Sequence, residues 1–127
     1  MSYTITNLRD VEDAAARHGF SEHQESRFAR RDLDADEMGI SLHAIRPGKR
    51  QAFAHRHHEA EEIYVVLSGS GRIKLDEELR DVGPLDAVRV SPETVRAFEA
   101  GPEGLEVLAV GPHHSADTEM VRDFWGD

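Results

Sequence analysis

Glycine and proline cut this chain into short segments, and this spacing constrains the fold more than any other feature. Turn-forming clusters stand at residues 47–48, 68–71, 83–84 and 101–104. Glycine and proline favour turns because one permits positive φ and the other fixes φ. Short apolar or alternating segments, typical of strands, occupy residues 26–31, 38–44, 52–57, 62–67, 72–75, 79–82, 85–90, 95–99 and 105–110. This series predicts an all-β sandwich or barrel.

The first part of the chain shows a different period. Leu8, Val11 and Ala15 share one helical face and Gly19 follows, so residues 7–18 are predicted to form a short helix. A chain of 127 residues accommodates one domain with one core. We therefore expect an N-terminal extension with the helix in residues 1–25, a barrel in 26–112 and a C-terminal tail in 113–127.

Composition excludes several classes of partner. The formal net charge of -10 argues against nucleic acid and anionic membranes, which attract basic surfaces. The chain has no cysteine, so disulfides and thiolate metal sites are excluded. No basic stretch followed by an apolar core opens the sequence, and its longest apolar run, residues 63–67, is far shorter than a membrane span. These features predict a cytoplasmic protein.

Residues 55–62 contain a candidate metal site. Alternate side chains of a strand project from one face, so His55 and His57 point the same way. If the chain turns near residues 58–60, Glu62 returns on the neighbouring strand within reach of both imidazoles. Two nitrogens and one carboxylate oxygen suit a borderline divalent metal.

The same stretch resembles the first motif of the cupin superfamily. That motif is a glycine, His-x-His, a glutamate and a second glycine, present here as Gly48, His55-Arg56-His57, Glu62 and Gly69. The resemblance covers residues 38–110. It implies a single-domain jelly-roll barrel, a double-stranded β-helix, that holds a divalent transition metal such as iron, manganese, nickel or zinc.

The second cupin motif differs from the family pattern at its most important position. Residues 85–90 stand for its strand and residues 92–94 for its turn, but Arg96 falls where the last metal-binding histidine is expected. Arginine keeps its proton and cannot coordinate a metal. Whether the protein is an enzyme is left open by this substitution.

Two interpretations of the pocket follow. In the first, His55, His57 and Glu62 hold a metal, Arg96 binds an anionic group of a small organic ligand, and the resemblance implies oxygenase or isomerase chemistry. In the second, no metal is present, because Arg96 takes the place of the cation and pairs with Glu62. The protein is then a small-molecule binder or sensor. A purely structural polar cluster is a third alternative.

The remaining residues near the pocket are assigned from strand parity. Phe53, Tyr64 and Phe98 match the inward parity, so we expect them to contact a ligand together with Arg96. His43 lies on the polar parity of its strand, so we expect a surface or hydrogen-bonded role for it. The adjacent histidines 113 and 114 do not share a face, so we expect them to be exposed. His58 has the parity opposite to that of His55 and His57. His58 replaces the missing ligand only if the turn rotates it inward.

Residues 63–67 are apolar on both parities, which predicts that one face of this strand needs cover. A second copy of the chain would supply that cover, so we expect a homodimer.

Overall fold

The structure, a computed structural model, describes residues 2–127. These residues form eight strands whose pairings are all antiparallel. The strands are β1 Gln24–Phe28, β2 Met38–Ile45, β3 Ala54–His57, β4 Glu62–Leu75, β5 Glu78–Val82, β6 Ala87–Val90, β7 Arg96–Pro112 and β8 Thr118–Val121. The predicted all-β architecture is confirmed.

Strand β7 organises the sheet. The order β1-β2-β7-β3-β8 forms one path, and β4 pairs with β5, β6 and also β7. Because β7 has neighbours along its whole length, the sheet curls on itself and closes an interior space. Val66, Ile73, Phe98 and Val107, each at most 1% exposed, form the centre of the core.

Two of the predicted turns, at residues 68–71 and 101–104, are wrong, since they lie inside the long strands β4 and β7. The pairing of β4 with β7 shifts register between Gly69 and Gly71. Gly69 has a φ of +80°, and a Cβ there would lie 2.1 Å from the carbonyl oxygen of Gly104. The glycines therefore bend two continuous strands at a close crossing instead of ending them.

The predicted helix over residues 7–18 is also wrong as a single element. The structure has a 3₁₀ turn, Leu8–Asp10, and a short α-helix, α1, Ala14–Arg17. Asp13 separates them because its Oδ1 accepts from the backbone N–H groups of Ala15, at 3.0 Å, and Ser26, at 2.9 Å. One carboxylate thus caps α1 and fastens it to β1, which prevents a continuous helix.

Part of the expected C-terminal tail joins the barrel, because β8 pairs with β3. Phe124 and Trp125 then lie on cationic side chains: the Lys74 ammonium is 4.4 Å from the Phe124 ring centre, and the Arg50 guanidinium is 4.5 Å from that of Trp125. Arg50 also pairs with Asp127 at 2.6 Å. The tail is therefore tied to the strand that carries the histidines.

The outer face of β4 carries the exposed apolar side chains that the sequence predicted. Ile63 is 43% exposed and Leu67 is 41% exposed. The homodimer that this face suggests stays a prediction. Among residues 2–127 no helix has the length and hydrophobicity needed to cross a membrane.

Candidate metal site and interior cavity

Strands β3 and β4 bring the predicted metal ligands together. His55 and His57 alternate on β3, and Glu62 is the first residue of β4. One nitrogen from each histidine and one oxygen of Glu62 lie within 4.8 Å of one another. The structure therefore places all three in one cluster, as the strand parity indicates.

A single carboxylate oxygen is the centre of the cluster. Glu62 Oε1 lies 3.5 Å from His55 Nε2 and 3.6 Å from His57 Nε2. The Tyr64 hydroxyl donates a hydrogen bond to the same oxygen. His57 Nε2 is buried and has no hydrogen-bond partner among the described residues. A buried nitrogen without a partner is costly, and a cation among these three atoms would satisfy it.

Arg96 reaches the same oxygen from behind Tyr64. Its Nη2 is 3.5 Å from Glu62 Oε1 and its Nε donates to the Tyr64 hydroxyl at 3.2 Å. Its Nη1 donates to the carbonyls of Pro92, at 3.0 Å, and Thr94, at 2.7 Å. At 1% exposure the guanidinium is fixed on three sides and cannot move away from the site.

Burial and hydrogen bonding shift the protonation of these groups in opposite directions. Burial raises the pKa of Glu62, but the neighbouring imidazoles of His55 and His57 and the hydrogen bond from Tyr64 outweigh it and hold that pKa well below its usual range. Burial lowers the pKa of His55, although Glu62 opposes the shift. Burial raises the pKa of Tyr64 well above its usual value, and the charge of Glu62 raises it further. The site is thus an ionised carboxylate beside a neutral His55 and a neutral phenol.

His57 is held by Asp117, a residue that the sequence analysis did not select. Asp117, only 7% exposed, accepts from the backbone N–H groups of His58, Glu59 and Ala60 at 3.2, 2.9 and 3.0 Å. Its Oδ2 also lies 3.5 Å from His57 Nδ1. This carboxylate therefore shapes the β3–β4 turn and lies against the imidazole of a candidate metal ligand, where metal-binding histidines often have a carboxylate neighbour. No motif marks Asp117, because it lies outside the region that resembles cupins.

A cavity of about 290 Å³ opens beside the cluster. Apolar side chains form much of its wall, including Phe20, Phe28, Phe53 and Ala109, and His55, His57, Glu62 and Tyr64 reach it. A second cavity of about 610 Å³ also reaches His57 and Glu62. The polar cluster therefore lies where two open spaces meet.

The other predicted pocket residues are distributed unevenly. Phe53 and Tyr64 line the smaller cavity, whereas Arg96 and Phe98 line neither cavity. Phe98 is 1% exposed and packs edge-on against Tyr64 at 5.2 Å. A contact of Arg96 or Phe98 with a ligand therefore stays a prediction. Arg96 touches Tyr64 and Glu62, which do line the cavity.

Three further histidines have clear positions. The His58 side chain is 58% exposed, 4.0 Å from Glu119, and does not join the cluster. His113 and His114 line the larger cavity, and His114 pairs with Glu59 at 3.3 Å. The structure thus gives none of the three a place among the candidate ligands.

Of the two roles expected for His43, surface or hydrogen-bonded, the structure shows the hydrogen-bonded one. It lines the smaller cavity, because the polar parity of β2 faces inward. The alternation of Ser41 and His43 with apolar neighbours was the available signal, but periodicity cannot show which face of a strand meets the interior.

Comparison with known proteins identifies the family. The cupin domain profile matches residues 41–111, more than half of the chain, so the protein belongs to the cupin family. An uncharacterized protein of Methanocaldococcus jannaschii is 33% identical over 82 residues, which span 62% of this chain and 66% of that protein. The aligned region thus covers just under two thirds of that relative.

Solved structures confirm the double-stranded β-helix. The polyketide cyclase RemF from Streptomyces resistomycificus has a TM-score of 0.77 and 22% identity, covering 95% of this chain and 86% of that one. A cupin protein from Bacteroides fragilis has a TM-score of 0.71 and 20% identity, covering 91% and 88%. Oxalate decarboxylase from Bacillus subtilis has a TM-score of 0.75 and 20% identity, covering 96% and 34%. At these identities the similarity establishes the fold alone.

Proposed function

We propose that the protein binds a divalent transition metal through His55, His57 and Glu62 and uses it to hold a small organic anion in the barrel. The observation that supports this proposal is the cluster, in which three donor atoms lie within 4.8 Å of one another. One of them is a buried imidazole nitrogen that has no hydrogen-bond partner among the described residues. Three protein ligands leave positions open for water or substrate, as in catalytic zinc and iron(II) sites.

The charge of the site supports an anionic ligand. Glu62 and Arg96 offset each other, so a bound dication leaves two uncompensated positive charges among buried groups. A carboxylate or enolate of the ligand would offset one of them. When bound, the metal would supply Lewis-acid polarisation of that oxygen. The apolar wall formed by Phe20, Phe28 and Phe53 suits the hydrocarbon part of such a molecule.

The named relatives with this fold include a polyketide cyclase, an oxalate decarboxylase and a dimethylsulfoniopropionate (DMSP) lyase. All three are enzymes, and the first two by name act on oxygen-rich organic substrates. Oxygenase, isomerase or lyase chemistry is therefore the class to test, and the cavity beside the cluster offers room for a substrate here.

Metal analysis tests the proposal directly. Protein without an affinity tag, purified without added metal, is measured by inductively coupled plasma mass spectrometry. We expect a stoichiometric transition metal in the wild type and its loss in His57→Ala. His58→Ala is the matched control, because it removes the neighbouring, outward-facing imidazole and should retain the metal. A wild type that stays empty after incubation with iron(II), manganese, nickel and zinc would contradict the proposal.

One observation favours a second candidate, a metal-free binding protein. Arg96 is buried, fixed by three hydrogen bonds, and 3.5 Å from the carboxylate that a metal would use. It could therefore replace the cation permanently. In that case wild-type protein contains no metal, and Arg96→His, which restores the family's histidine, gains one.

A further inference from the structure

A second polar cluster lies in the wall of the smaller cavity. Ser26 and Ser41 flank His43: Ser26 Oγ is 2.9 Å from His43 Nδ1, and Ser41 Oγ is 2.9 Å from His43 Nε2. Gln24 Nε2 donates to Ser26 Oγ at 2.7 Å. Gln24, Ser26 and Ser41 are 6, 4 and 8% exposed, and all four residues line the cavity.

Hydrogen-bond donation through these four side chains begins at Gln24. Gln24 Oε1 accepts the backbone N–H of Ala52 at 2.8 Å, which fixes the orientation of the amide. The amide nitrogen therefore donates to Ser26. A hydroxyl that accepts a hydrogen bond donates more strongly, which favours the tautomer in which Ser26 donates to His43 Nδ1. The neutral imidazole then carries its hydrogen on Nε2 and donates it to Ser41.

One polar hydrogen of these side chains has no acceptor among them. Ser26, Ser41 and a neutral His43 have three polar hydrogens, and their two mutual contacts use two of them. With the direction set by Gln24, the unused hydrogen is that of the Ser41 hydroxyl. Among the described residues, His43 is the only hydrogen-bond partner of Ser41 Oγ. A nearly buried hydroxyl at the end of a donor chain is a binding group for an acceptor.

The position of Ser41 relates it to the metal cluster. Ala109 of β7 is in register with Tyr64 on one side and with Ser41 on the other. Two strand spacings separate Tyr64 from Ser41, roughly 10 Å between Cα atoms. The intervening Ala109 contributes only a methyl group, and Ser41 lines both cavities together with His57 and Glu62. One small molecule can therefore reach both sites.

We propose that Gln24, Ser26, His43 and Ser41 form a one-way hydrogen-bond chain that presents the Ser41 hydroxyl to an uncharged oxygen of the ligand. The ligand class is then a small, largely apolar acid with a carbonyl or hydroxyl oxygen remote from its anionic group. This inference rests on the proposed function, since it assumes that the anionic group lies at the metal cluster. Burial lowers the pKa of His43 to about 4, so the chain is uncharged near neutral pH and suits an uncharged oxygen.

Three related acids test the inference. Binding of 4-hydroxybenzoate, 3-hydroxybenzoate and 4-methylbenzoate to zinc-loaded protein is measured by isothermal titration calorimetry. The methyl and hydroxyl groups are similar in size, so their comparison isolates the hydrogen bond. We expect wild type to bind one hydroxybenzoate roughly three- to tenfold more tightly than 4-methylbenzoate. Ser41→Ala should abolish this preference and Ser41→Thr should restore it. Ser68→Ala, an exposed serine on β4, should leave it unchanged.

A second measurement tests the direction of the chain without any ligand. Nitrogen-15 chemical shifts should show His43 protonated at Nε2 in wild type. Protonation at Nδ1 would overturn the assignment. Equal affinities for hydroxyl and methyl acids would overturn this inference alone. Failure of all three acids to bind would overturn the proposed function and this inference together.

Discussion

Replacement of Arg96 by methionine is the sharpest perturbation of the site, because it should affect stability and metal affinity in opposite directions. The side chain is 1% exposed and donates to Tyr64, Pro92 and Thr94. The variant leaves the Thr94 carbonyl unpaired, removes one of the two donors to the Pro92 carbonyl and removes the cation beside Glu62. Breaking a buried ion pair from one side costs about 3–5 kcal/mol of unfolding free energy. Urea unfolding of metal-free protein measures this loss.

Arg80→Met provides the matched stability control. Arg80 pairs with Glu78 at 3.0 Å, but the two side chains are 65% and 66% exposed. Exposed pairs contribute about 0–1 kcal/mol. If Arg96→Met destabilises no more than Arg80→Met, the guanidinium does not stabilise the buried carboxylate as we describe.

The same variant should bind metal more tightly. A dication about 4 Å from a guanidinium is repelled by on the order of 8 kcal/mol at an effective dielectric constant near 20. Much of this repulsion is offset in the wild type by Glu62, whose Oε1 is 3.5 Å from Arg96 Nη2. We therefore expect zinc affinity, measured by competition with a chelating dye, to rise by at least tenfold. Unchanged or weaker zinc binding by folded Arg96→Met would refute this reasoning.

Three further predictions concern the surroundings of the site. The pKa of His43 is about 4 in the folded protein and near 6.5 in the unfolded chain, so acidification favours the unfolded state. Between pH 7 and pH 5, urea unfolding should show that the unfolding free energy of the wild type falls by about 2 kcal/mol more than that of His43→Gln. Asp117→Ala should cost about 2–4 kcal/mol, because the backbone N–H groups of Glu59 and Ala60 lose their acceptor and that of His58 keeps only the Asp117 carbonyl, whereas the exposed Asp81→Ala should cost under about 0.5 kcal/mol; equal losses in urea unfolding would count against the role of Asp117. Gly69→Ala should lower the melting temperature sharply, since its Cβ would lie 2.1 Å from a carbonyl oxygen, while Gly83→Ala, which meets nothing within 4 Å, should be tolerated in the same calorimetric scan.

Local patterns were sufficient for the all-β class, for many of the strand positions and for one half of the site. The alternation of His55 and His57, followed by Glu62 at the start of the next strand, predicted a cluster that the structure brings within 4.8 Å. The alternation of the two histidines and the position of Glu62 both depend on the two-residue period of a strand, which the sequence alone specifies. The predicted turns at 68–71 and 101–104 failed because glycine also permits a close crossing of continuous strands.

Long-range contacts decided the remainder of the site. Asp117 supports the turn after His57 from a distant part of the chain, and no periodicity connects the two. His43 lies in the cavity because β7 pairs with β2 on one side and with β4 on the other. Which face of β2 meets the interior depends on that pairing and not on the pattern within the strand.

The sequence by itself determined the all-β class, the cupin motif and the three candidate metal ligands, because these depend on neighbours within a few residues. Only the tertiary structure decided that Arg96 is fixed beside Glu62 and that Ser41 lines the same cavity two strands away from Tyr64. The physical reason is that a barrel closes through contacts between distant strands. Burial and the direction of side chains are properties of that closure.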